Sequence, residues 1–132
     1  MKETEYIKEF ESRYSGNRDK SKKMDIYPSP VSAYPLVVEY SGKDIGCVYL
    51  HYEREFIQPM VWIMYLRSYD QGKGHGKKML NELCSLADQY NVTLYLEPVP
   101  DKDSNLKHGD LVAWYRRSGF SGYHTMERQP NA

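Results

Sequence analysis

Apolar and polar positions alternate along the chain with two different periods. Tyr6, Ile7, Phe10 and Tyr14 recur at helical spacing among Lys, Glu and Arg, which predicts an amphipathic helix over Lys2 to Tyr14. Ser15 to Lys23 holds no apolar residue and is expected to be a solvated linker. Pro28, Pro30 and Pro35 keep the next stretch extended, and Asp25 to Ser32 offers only a proline-broken segment. Leu36 to Tyr40 and Ile45 to Tyr52 then read as the two strands of a hairpin, turning through Ser41 to Asp44. In the second strand Ile45, Cys47, Tyr49 and His51 share one face and Gly46, Val48, Leu50 and Tyr52 the other. Both faces are largely apolar, so this strand is expected inside the sheet.

Met60 to Arg67 is almost continuously apolar, as a central strand should be. From Gly74 to Tyr90, the positions Met79, Leu80, Leu83, Leu86, Ala87 and Tyr90 give the strongest helical pattern of the chain. Val92 to Leu96 is a fourth strand, parallel to the third because a helix crosses between them, in a right-handed βαβ unit. A polar loop from Pro98 to Lys107 leads to a short helix over Gly109 to Arg117, stopped by Gly119. A last strand follows near Tyr123 to Arg128. The expected fold class is mixed α/β with a mostly antiparallel sheet, one parallel pair and helices on both faces.

The 132 residues amount to one domain, with an N-terminal helix and linker over 1–23 and a core over 36–128. Apolar residues at 40% and charged residues at 27% are ordinary globular values. Eighteen basic residues against eighteen acidic ones cancel, which argues against a nucleic-acid partner in spite of thirteen tyrosines that could stack on bases. The run Met60 to Leu66 is far short of the ~20 residues that span a bilayer, and the charged start lacks a signal-peptide h-region. No membrane partner and a cytoplasmic location are therefore expected. Cys47 and Cys84 have no partner at metal-ligand spacing and read as reduced core thiols, so no metal is expected.

The chemistry concentrates in Gln71-Gly72-Lys73-Gly74-His75-Gly76-Lys77-Lys78, between the strongest strand and the strongest helix. Glycines let a ligand approach the backbone, and the free N–H groups of a helix's first turn attract an anion. Lys73, Lys77 and Lys78 add positive charge. A nucleoside-triphosphate P-loop needs a Gly where Gln71 stands and a Ser or Thr after Lys77. A dinucleotide fingerprint needs its third Gly where Lys77 stands. Both motifs fail.

Gln71, Gly74 and Gly76 match the Gln/Arg-x-x-Gly-x-Gly/Ala loop of the GCN5-related N-acetyltransferases. Leu111-Val112-Ala113-Trp114-Tyr115-Arg116-Arg117-Ser118-Gly119-Phe120 resembles the late helix of that family, which ends in aromatic-Tyr-x-x-x-Gly-Phe. The resemblance covers Leu36 to Arg128. The compact tail and the proline-bearing loop are similar to those of small phage-borne members, for which the location would be the host cytoplasm. The resemblance implies acetyl-CoA as donor and the third and fourth strands splayed to admit it. It further implies a pyrophosphate held over Gly72, Lys73, Gly74, His75, Gly76 and Lys77, with Gln71 completing the loop. Met64, Tyr65 and Leu66 would lie along the pantetheine, and a backbone N–H near Leu66 would hold the thioester oxygen. Tyr115 matches the tyrosine that protonates the departing thiolate, and its spacing with Leu111 and Trp114 equally suits core packing; Trp114 is read as packing alone. His108 stands where the family carries an Asn that touches the cofactor.

An acceptor amine must lose its proton before it attacks, because a lysine pKa near 10.4 leaves about one in a few thousand neutral at pH 7. Glu97, at the end of the fourth strand, is the first candidate base, followed by His51, His108, Glu53 and Glu55 acting through water. Each also reads as an ordinary surface or strand residue. The expected function is transfer of an acetyl group to a primary amine of a protein or small molecule. The alternative is a weak or inactive module that binds CoA or a partner protein. The acceptor and the oligomeric state, a homodimer included, stay open.

Overall fold

The computed structural model describes residues 1–14, 35–53, 58–70, 72–100 and 105–131. Among them lie three helices, α1 (Lys2–Ser12), α2 (His75–Tyr90) and α3 (His108–Arg116). Six strands accompany them, β1 (Leu36–Tyr40), β2 (Lys43–Glu53), β3 (Met60–Ser68), β4 (Leu94–Leu96), β5 (Ser121–Gly122) and β6 (Met126–Arg128). The linker Ser15 to Lys23, the segment Asp25 to Ser32, Gln71 and Glu55 lie outside the described residues.

The strands form one mixed sheet in the order β1-β2-β3-β4-β6-β5, in which β3 and β4 are the parallel pair and every other neighbour is antiparallel. The hairpin turn is tighter than the sequence suggests. Ser41 (φ 53°) and Gly42 (φ 76°) alone make it, the two positive dihedrals of a turn that follows strand twist. Helix α2 begins at His75 and not at Gly74, because Gly74 has φ 77° and acts as the N-cap. Its other end is closed by Asn91 at φ 58°, with the Val92 N–H donating to the Ala87 carbonyl at 2.9 Å.

The expected final strand over Tyr123 to Arg128 is two short ones. Gly122 at φ 113° lets the chain fold back, and Tyr123 to Thr125 form the turn between β5 and β6. A Cβ on Gly122 would stand 2.1 Å from the Thr125 carbonyl oxygen, so that reversal needs glycine.

Helices α1 and α2 pack on each other and over β2 and β3, while α3 lies against β5. Tyr6, Phe10, Leu80, Leu83, Val61 and Leu94 are almost wholly buried between these layers. The Tyr6 hydroxyl donates to the Leu83 carbonyl at 2.8 Å, which satisfies a polar atom in an apolar interior. Cys47 and Cys84 are both buried and not joined in a disulfide, and burial raises the Cys84 thiol to about 11.

Strand β6 is tied down by a buried charge. Arg128, 5% exposed, donates from Nη1 and Nη2 to both carboxylate oxygens of Asp88 at 2.7 and 3.0 Å. Those hydrogen bonds, aided by the Asn131 N–H at 2.8 Å, hold the Asp88 carboxyl below its ordinary range. A carboxyl depressed in the folded state adds stability above its unfolded pKa of about 3.9, and this is lost as pH falls through the folded value. Denaturant titrations of the parent and Asp88→Asn should therefore differ at pH 7, begin to approach each other below about pH 4 and converge only below the depressed folded value. An unchanged difference at low pH would exclude this coupling.

Candidate active site

Strands β3 and β4 share only two residue pairs, Val61 with Leu94 and Trp62 with Tyr95. Beyond them β3 and the chain after β4 diverge around a cleft of about 1200 Å³, lined by Trp62 to Ser68, by Leu96, Glu97, Val99 and Pro100, by the start of α2 and by one face of α3. A bulge lies where the strands part. Tyr49 pairs with Tyr65 and Leu50 with Ile63, so Met64 is an extra residue with no Cα partner in β2. Such an insertion bends its strand and re-aims the local backbone. Met64, Tyr65 and Leu66 all line the cleft.

At one end of the cleft sits the glycine loop. Gly72 (φ 82°) and Gly74 (φ 77°) turn the chain into α2, and a Cβ on either would meet nothing within 4 Å, so their outer side is open. The first-turn N–H groups of α2 have no intrahelical acceptor and face this end with the positive pole of the helix. Gly76 packs differently. Its Cβ position is 3.6 Å from the Trp114 ring and 3.9 Å from Ser68 Cβ, ordinary contact distances that an alanine would also satisfy.

The charge around the loop differs from expectation. Of the three lysines, only Lys77 lines the cleft, with Nζ donating to Ser118 Oγ at 3.2 Å. Lys78 turns away and lies 3.7 Å over the Tyr40 ring, and Lys73 is exposed outside the lining. Arg67 and Arg117, which the sequence reading did not single out, also line the cleft. Both carry a legible signal in retrospect. Arg67 is the next-to-last residue of the strand that runs into the loop, and Arg117 follows Asp110 and Trp114 at helical spacing along the face of α3 that lines the cleft.

Tyr115 is 8% exposed and reaches the cleft while its ring packs edge-on to Trp114 at 4.9 Å and Phe120 at 5.5 Å. Packing and access coexist at this residue. Trp114, expected only in the core, lines the cleft and backs Gly76. Glu97 is exposed immediately after β4 and also lines the cleft. His108 does not join it. Standing first in α3, it packs 4.6 Å from the Tyr123 ring, at the β5–β6 turn, so the cofactor contact expected of it has no support in its position. His51 is exposed on β2, opposite Trp62 in the ladder. No group of three or more His, Cys, Asp or Glu among the described residues is arranged to hold a metal ion, and no described helix is long and apolar enough to cross a membrane.

The fold is a mixed α/β sheet whose one parallel pair opens onto a glycine-rich helix start. The chain matches the family model described as acetyltransferase (GNAT) family over residues 4–120, and it belongs to that family. No curated protein matches it. Among solved structures it is similar to the crystal structure of the anti-CRISPR protein AcrVA5, at 17% identity and a TM-score of 0.54, over 70% of this chain and 95% of that one. At this identity the likeness speaks for the fold.

Proposed function

We propose that the protein transfers the acetyl group of acetyl-CoA to a primary amine by direct attack. The observation that carries this reading is the join of cleft and loop: a splay between β3 and β4 that opens onto an N-terminal helix turn, in a cleft whose lining includes Lys77, Arg67 and Arg117. Pyrophosphate is an anion suited to that end, and the thioester would lie toward the bulge. Met64, as the inserted residue, is a better candidate than Leu66 to offer a backbone N–H to the thioester oxygen.

In the proposed reaction the neutral amine attacks the thioester carbonyl, and the resulting oxyanion is held by that N–H. Collapse breaks the carbon–sulfur bond. The Tyr115 hydroxyl gives its proton to the departing thiolate, and Glu97 receives the amine's proton directly or through water. The domain spans residues 1–132 and acts in the cytoplasm. A phage-type origin is part of the same proposal, in keeping with the likeness to an anti-CRISPR protein.

Tyr115→Phe tests the reading. It keeps the ring that packs on Trp114 and Phe120 and removes only the hydroxyl. With radiolabelled acetyl-CoA and a bacterial lysate as acceptor, the variant should transfer label roughly a hundredfold more slowly at unchanged acetyl-CoA affinity. Label on a discrete protein band would make the acceptor a protein, and label in the small-molecule fraction a metabolite. If the parent binds acetyl-CoA and transfers nothing, the protein is a binding module and the catalytic reading falls.

A further inference from the structure

We infer that Arg128, far from the thioester in sequence and outside the cleft lining, is a positioning residue for cofactor binding, a role that rests on the CoA reading above. Its guanidinium joins three elements. Two nitrogens donate to Asp88 near the end of α2, and Nε donates to the Ser118 carbonyl, just past α3, at 2.8 Å. Ser118 in turn accepts from Lys77 at the start of α2 through its hydroxyl. One residue therefore receives hydrogen bonds from the buried clamp and from the lysine of the anion end.

The local backbone is shaped for this contact. Gly119 has φ 96°, and a Cβ there would stand 3.4 Å from Arg128 Nε, so the turn after α3 lies directly on the guanidinium. Arg117, the residue before Ser118, lines the cleft. The last turn of α3 meets the short β5, and Arg116 there donates to the Gly122 carbonyl at 3.2 Å. Without the clamp the segment bearing Arg117 and Ser118 gains freedom, and the cations of the anion end lose their preset spacing. Arginine suits the task because its planar fork bonds a carboxylate with two nitrogens and still has Nε left for a carbonyl. A lysine offers one point charge.

The test is calorimetric titration of the full chain with CoA, which needs no acceptor and reads affinity and binding-competent fraction separately. Arg128→Lys and the near-isosteric Asp88→Asn should each raise the CoA dissociation constant roughly fivefold at a stoichiometry still near one. A residue that served stability alone would lower the stoichiometry and leave the dissociation constant of the remaining folded protein unchanged, and that result overturns the inference. Should Arg128→Lys fail to fold, Asp88→Asn decides, since it keeps the arginine and takes away the charge and one of the two accepting oxygens that anchor it. A parent protein that does not bind CoA at all would instead refute the functional reading on which the inference stands.

Discussion

Gly74→Glu is expected to abolish acetyl-CoA binding and leave the protein folded. Gly74 is the N-cap of α2 at φ 77°, with nothing within 4 Å of its Cβ position. The side chain thus has room in the unliganded protein, and the left-handed backbone costs about 1 kcal/mol, which a domain of this size tolerates. What it cannot share is the space in front of the helix. A carboxylate there would sit where the proposed pyrophosphate would meet the first-turn N–H groups, occupy its volume and repel it. For the parent, ligand at a hundred times its dissociation constant contributes about 2.7 kcal/mol, which is a rise of roughly 10 °C in Tm. The variant should show no rise with acetyl-CoA, and neither protein should respond to NAD or ATP. A normal shift in folded Gly74→Glu would move the anion site away from this loop.

The second large effect concerns Gly46, a residue with no chemical role. Added to this central-strand position, a Cβ would lie 2.1 Å from the Arg67 carbonyl oxygen of the neighbouring strand and 2.5 Å from the Met79 Cε of α2. The methionine can yield, being a flexible end. The carbonyl belongs to the β2–β3 ladder and yields only if the sheet opens next to the glycine loop. Gly46→Ala should therefore destabilise by at least ~3 kcal/mol, a large share of the 5–15 kcal/mol that holds most domains together. Denaturant unfolding measures it directly. The matched control is Gly109→Ala in α3, where a Cβ meets nothing within 4 Å and loss of glycine freedom should stabilise by ~0.5–1 kcal/mol. Equal effects at the two sites would mean that the β2–β3 contact is looser than described.

The helices and strands were legible because their apolar residues repeat with the period of the element that buries them. Met79, Leu80, Leu83, Leu86 and Ala87 are all buried in α2 as their spacing predicts. The glycine loop was legible for a different reason. Gly72 and Gly74 adopt dihedrals that few other residues accept, so the sequence records the backbone directly. The limits fell where register or long-range approach decides. Which lysine faces the cleft depends on the rotation of α2, and a one-residue step of about 100° separates Lys77 in the cleft from Lys78 over Tyr40. The family motif placed a cofactor contact at His108, but the turn between β5 and β6 brings Tyr123 against that ring instead.

The sequence by itself determined the order of elements, the parallel crossover around α2 and the glycine-shaped turn that starts this helix, since each depends on residues close in the chain. Only the tertiary structure decided that Met64 is the bulge, that Arg67 and Arg117 line the same cleft, and that Arg128 reaches Asp88 and Ser118. Those facts join residues from about 10 to 50 positions apart, and no local periodicity encodes which of many polar side chains will meet once the core has closed.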